Sequence, residues 1–149
     1  MRLFSLALPV TATLLAAVLC AWPASPTVQA EKKKSVQIQY LEFVTPDVDA
    51  TCKAMEELHG VSFSDPVPEF GNARTAELRG GGLIGVRAPM RADETPIVRP
   101  YILVKDIDAA IATAKAAGAE IAMPPMDIPG RGKFAIYIQG GINYGLWQL

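Results

Sequence analysis

The chain of 149 residues carries one histidine, two cysteines and few aromatic side chains, which make up 7% of it. A single histidine excludes any metal centre built on two imidazoles. That residue, His59, stands beside Gly60 at the expected end of a helix, where contact with the negative helix terminus is the expected role. Two cysteines exclude a disulfide-stapled scaffold. Cys20 lies in an apolar leader, which leaves Cys52 alone, four residues after Val48 and three before Met55, the spacing of a buried helix face. Net charge is scarce as well: 14 basic residues face 15 acidic ones, for a formal net charge of −1. A nucleic-acid binder needs a basic face to neutralise phosphates, so that class is excluded. At 50% hydrophobic residues the chain is also no disordered polymer. Glycine and proline, by contrast, are plentiful at 12 each.

The first thirty residues stand apart. Twenty of them are apolar and Arg2 is their only charge. Leu3 to Cys20 is uncharged, Pro23 and Pro26 break the run, and Val28-Gln29-Ala30 offers a small-x-small exit before Glu31. Charged start, apolar middle and small-residue exit are the order of a secretory signal peptide. A spanning helix needs about 20 apolar residues, more than this Pro9-interrupted run supplies. We therefore expect residues 1–30 to be a signal peptide, residues 31–35 a basic tail, and the mature protein to be exported, periplasmic or secreted, with no membrane span. A retained N-terminal anchor is the competing expectation.

The remaining chain repeats itself. Asp47-Val48-Asp49-Ala50 returns as Asp106-Ile107-Asp108-Ala109, and Gly80-Gly81 with Gly85 returns as Gly140-Gly141 with Gly145. These anchors divide 36–149 into modules 36–92 and 96–149. Each module opens on a strand-like stretch, 37–45 or 98–105, with branched or aromatic residues at alternate positions. Asp47 and Asp106 are placed to cap helices that end before Gly60 and Gly118. Three short strands are expected after each helix. The sum is an α+β domain of two β-α-β-β-β modules, each too small to bury a core alone.

The Asp-x-Asp-Ala helix starts, the Gly-Gly…Gly-Leu-Trp-Gln close, and the stretches 80–90 and 123–133 resemble the vicinal oxygen chelate superfamily. That group holds glyoxalases, extradiol dioxygenases and bleomycin-resistance proteins. The resemblance implies two half-cups forming a cleft, with metal ligands on the first and last strand of each module. Carried onto this chain, those positions are Tyr40, Gly85, Arg99 and Gly145. Divalent first-row metals want imidazole, thiolate or carboxylate, so we expect no metal and no cofactor there. Strand alternation turns Tyr40, Glu42, Arg99, Tyr101, Asn143 and Trp147 toward the cleft. They are the candidate ligand-binding residues, with Arg99 or Arg87 able to hold an anion and Tyr40 or Trp147 able to stack on a planar molecule. The two glycines would open room for it. The expected activity is the binding of a small anionic or aromatic molecule. The alternative is a metal-dependent lyase, isomerase or dioxygenase using Glu42, Glu77 or Tyr40 as unusual ligands. A homodimer that exchanges modules is an assembly the resemblance allows.

Overall fold

A computed structural model describes residues 35–149; the expected signal peptide and nearly all of the basic tail lie outside them. The elements run β1 (Ile38–Val44), α1 (Val48–His59), β2 (Arg74–Glu77), β3 (Leu83–Arg87), β4 (Ile97–Leu103), α2 (Ile107–Ala116), β5 (Glu120–Ile128), β6 (Gly132–Gln139) and β7 (Ile142–Gln148). Both helices start as their sequence predicts. Asp47 accepts from the Ala50 amide at 3.2 Å, and Asp106 from the Ala109 amide at 2.9 Å, which satisfies otherwise orphaned donors of the first turn. Gly60 closes α1 with φ +65°, a left-handed position where a side chain would be strained.

The strands form one seven-stranded sheet in the order β2-β3-β1-β4-β7-β6-β5. β1 lies parallel to β3 as β4 lies parallel to β7, and the halves meet along the antiparallel pair β1–β4. The expected module pair is therefore present, with one difference. The second module has three strands after its helix and the first has two. Where the third would run, Pro66 and Pro68 cannot donate to a ladder. A single bridge, Val67 to Ala73, and a short 3-10 turn (Pro68–Phe70) replace it. That turn drives Phe70 into the interior.

Each face of the sheet has its own core. On the helix side α2 buries Ile107 and Ile111 against Ala135 and Leu146, while Cys52 of α1 and Val86 of β3 are fully enclosed. Burial pushes the Cys52 thiol up from its ordinary value, against the pull of Arg74. On the opposite, concave side the interior is aromatic: Tyr40, Phe70, Tyr101 and Trp147 pack together with ring centroids 5.2–6.0 Å apart. The order of these rings depends on two glycines. A Cβ on Gly85 would overlap the Tyr40 hydroxyl, and one on Gly145 would overlap the base of the Tyr101 ring. The expectation that these glycines open space for a ligand is thus corrected, since tyrosine rings already occupy that space.

The Tyr101 ring base cannot swing aside as a flexible tip could. Gly145→Ala is expected to destabilise the domain by about 1–3 kcal/mol through overpacking, read as a lower midpoint in thermal denaturation. A midpoint equal to that of the unsubstituted protein would contradict the packing described.

Candidate functional site

The β1–β4 register sets Glu42 opposite Arg99 and Tyr40 opposite Tyr101. Strand alternation then aims all four into the concave face, where the sheet's two halves join. Glu42, Arg87 and Arg99 are only 5%, 4% and 8% exposed. Burying ions this far is costly unless every charge is partnered, and here they partner one another. Arg87 Nε donates to Glu42 Oε1 at 2.7 Å; Arg99 Nη1 and the Tyr101 hydroxyl, the latter at 3.1 Å, donate to Glu42 Oε2. The rest of the Arg87 fork is filled by Glu94, with Nη1 to Oε2 at 2.9 Å and Nη2 to Oε1 at 2.7 Å. Glu94 belongs to the segment 88–96 that links the modules, and it also accepts from the Met90 amide at 2.8 Å. Two guanidiniums and two carboxylates sum to zero, so this wall carries no net formal charge.

Titration behaviour follows from these contacts. Hydrogen bonds from Arg87 hold the Glu94 carboxyl down to about 2; burial works against them and the Met90 amide with them. Burial opposes the charge on Arg87, and the two carboxylates more than restore it, lifting the group above its ordinary range. Burial, then the charge of Glu42, pushes the Tyr40 and Tyr101 phenols above theirs. Both stay protonated at any ordinary pH.

A cavity of about 260 Å³ adjoins the network, lined by Glu42, Arg87, Arg99 and Tyr101 on the polar side and by Phe134 and Trp147 among its apolar walls. Met90, Met123 and Met126 also face it. Tyr40, Phe70 and Trp147 divide it from a second space of about 480 Å³ under the Gly130–Gly132 turn. That turn is tied down by Trp147, whose indole N–H donates to the Arg131 carbonyl at 3.0 Å, and by the Arg131 guanidinium 5.2 Å above the Phe70 ring. Two buried polar atoms at the site, Tyr40 Oη and Arg99 Nε, have no hydrogen-bond partner among the described residues.

Of the candidate residues, Tyr40, Glu42, Arg99, Tyr101 and Trp147 converge on this cavity. Asn143 does not: it pairs with Ile138 toward the far end of β7. Of the two arginines expected to hold an anion, Arg87 has its donors taken up by Glu42 and Glu94, whereas Arg99 gives only Nη1 to Glu42 and keeps Nε without a partner among the described residues. Arg87 completes the network from the last strand of the first module, as alternation allows. Glu94 and Phe70 sit in irregular segments, where no periodic signal marks them. Among the described residues no group of three or more His, Cys, Asp and Glu is placed to hold a metal ion, and Glu77 is exposed on the edge strand β2. Among the same residues no helix is long and apolar enough to cross a membrane.

No protein-family model matches the chain. It is 30% identical over 115 residues to CFP32, a provisionally named glyoxylase of Mycobacterium bovis and Mycobacterium tuberculosis. The match covers 73% of this chain and 44% of the relative, so the chain spans less than half the length of these curated proteins. A hypothetical protein from Bacillus halodurans has a similar structure, with TM-score 0.62, 14% identity, and coverage of 78% of this chain and 96% of that one. Methylmalonyl-CoA epimerase from Mycobacterium tuberculosis superposes with TM-score 0.57 and 14% identity, covering 74% and 86%.

Two outcomes test the network. Glu42→Ala leaves two buried guanidiniums short of a counter-ion and is expected to cost about 3–5 kcal/mol in urea denaturation. The second concerns pH. Glu94 ionises at about 2 in the fold against an ordinary 4.5, so its stabilisation is complete above pH 4.5 and is lost as pH falls toward 2. The gap in unfolding free energy between the parent and Glu94→Gln should close over that window; a constant gap would contradict the assignment.

Proposed function

We propose that this chain, 30% identical over 115 residues to a provisionally named glyoxylase and alike in fold to methylmalonyl-CoA epimerase, is a member of the vicinal oxygen chelate superfamily that binds a small, largely apolar molecule in the 260 Å³ cavity without the help of a metal ion. The observation that carries this reading is the state of Glu42. Its two oxygens already accept three hydrogen bonds from guanidinium and phenol groups, so little of this buried carboxylate's lone-pair capacity is left for a cation. The other positions where the superfamily places ligands hold a phenol, a guanidinium and two glycines. This donor set does not fit a divalent first-row metal, and two guanidiniums beside it repel one.

The apolar and aromatic walls favour a ligand with a flat apolar body. The unpartnered Tyr40 hydroxyl and Arg99 Nε favour one hydrogen-bond acceptor on it, because a buried unmet donor costs about 1–3 kcal/mol. Solvent does not reach either atom, so a small side-chain adjustment accompanies that contact. Export through the N-terminal segment belongs to the same proposal, supported by its charge order, as does pairing of two copies by module exchange. N-terminal sequencing of the protein from its host and solution mass at two concentrations address these two points.

Elemental analysis of untagged protein tests the first claim: Zn, Ni, Mn and Fe are each expected well below one atom per chain, and stoichiometric metal would overturn it. Metal-dependent turnover of a hemithioacetal or catechol would favour the enzyme alternative. A thermal-shift screen with small aromatic ketones, phenols and amides tests the second. Hits should weaken severalfold in Trp147→Phe and Phe134→Leu, and a ligand indifferent to both does not bind in this cavity.

A further inference from the structure

Glu94 does something that no strand geometry requires. It lies in the inter-module segment 88–96, whose Arg91, Ala92 and Asp93 are exposed, yet its carboxylate is folded inward and its side chain is only 13% exposed. Three N–H donors converge on it: Nη1 and Nη2 of Arg87 and the amide of Met90. Arg87 and Met90 both line the 260 Å³ cavity. A planar guanidinium edge with a backbone amide beside it has the geometry that recognises carboxylates in two-point contact. The cradle therefore matches the carboxylate of a small molecule whose apolar body lies in the cavity.

We infer that the Arg87–Met90 cradle is a carboxylate subsite of the ligand cavity, occupied in the free protein by the chain's own Glu94 and opened when a ligand carboxylate replaces it. This rests on the binding role proposed above and adds the ligand class, an aryl or alkyl monocarboxylate. The exchange conserves charge. Glu94 leaves for solvent with its segment, and the incoming carboxylate restores neutrality opposite Arg87 and Arg99. An internal competitor lowers the observed affinity by the fraction of molecules in which the cradle is free, so removing it reveals the intrinsic affinity. Glu94→Ala leaves the wall with one carboxylate against two guanidiniums, a surplus that suits an anion.

The test is calorimetric titration of the full chain with phenylacetate and with its uncharged analogue 2-phenylethanol. The proteins are the parent, Glu94→Ala and, as a volume-preserving variant should Glu94→Ala fail to fold, Glu94→Gln. Phenylacetate is expected to bind Glu94→Ala at least tenfold more tightly than the parent, and Glu94→Gln at least threefold, while 2-phenylethanol binds all three alike. If 2-phenylethanol binds all three and phenylacetate gains nothing, the subsite is overturned and the binding role stands. If both probes tighten equally, Glu94 is only a steric strap and the subsite is again overturned. If neither probe binds any of the proteins, the subsite falls together with the binding role.

Discussion

The Glu42 carboxylate lies on the strand pair that joins the two modules, and three donors from both modules close on it. Arg87 comes from the last strand of the first module, Arg99 and Tyr101 from the first strand of the second. Nearly every other feature of the cleft is arranged around that knot. The cross-strand pair Glu42–Arg99 marks the register of β1 against β4, and a slip of one strand by one residue would send one of the two charges to the opposite face from its partner. Arg87, committed to Glu42 through Nε, has its two Nη groups left for Glu94 and the Ala88 carbonyl, which ties the linking segment to the last strand of the first module. Buried ion pairs are not in general a source of net stability, since desolvation offsets most of their attraction. Here the network's clearer effect is on specificity: few other pairings of the two halves would leave four buried charges satisfied.

The same seam shows how one fold changes its chemistry without changing its strands. Glycine at 85 and 145 leaves room that tyrosine rings from the neighbouring strands take up. Phenols and guanidiniums thus crowd the face along which the two halves meet. The two halves stay related, with Tyr40 in one answering to Arg99 in the other and Glu42 to Tyr101, so the departure involves both modules at once. Fold does not determine reaction, because the reaction resides in the side chains grafted on it. Several proteins of similar structure carry an epimerase name at 14–20% identity, which speaks to the shape of the sheet alone.

Much of the architecture was legible from local physics. The helix starts at Asp47 and Asp106, the stop at Gly60, the alternation of β1 and the repeat of Asp-x-Asp-Ala all express short-range rules of capping, φ preference and side-chain direction. Those rules placed five of the six candidate site residues on one wall. They failed at Asn143 because alternation specifies a face but not a distance. Asn143 stands four residues before Trp147, roughly 13 Å along the strand, and is not among the residues lining the cavity. They failed in the first module's missing strand because Pro66 and Pro68 lack the amide donors that a ladder needs, so the stretch forms only the single Val67–Ala73 bridge.

What the sequence determined by itself was the pair of modules, the scarcity of histidine and cysteine, and which face of each strand looks inward. These are properties of neighbours along the chain, set by periodicity and composition. Tertiary structure alone decided that the glycines are filled by tyrosines, that Arg87 is taken up by two glutamates while Arg99 keeps an unpartnered Nε, and that Glu94 folds back onto Arg87. Each of these joins residues from different elements. Whether a buried charge is free or paired depends on what stands within about 3 Å of it, and that distance exists only once the sheet has closed.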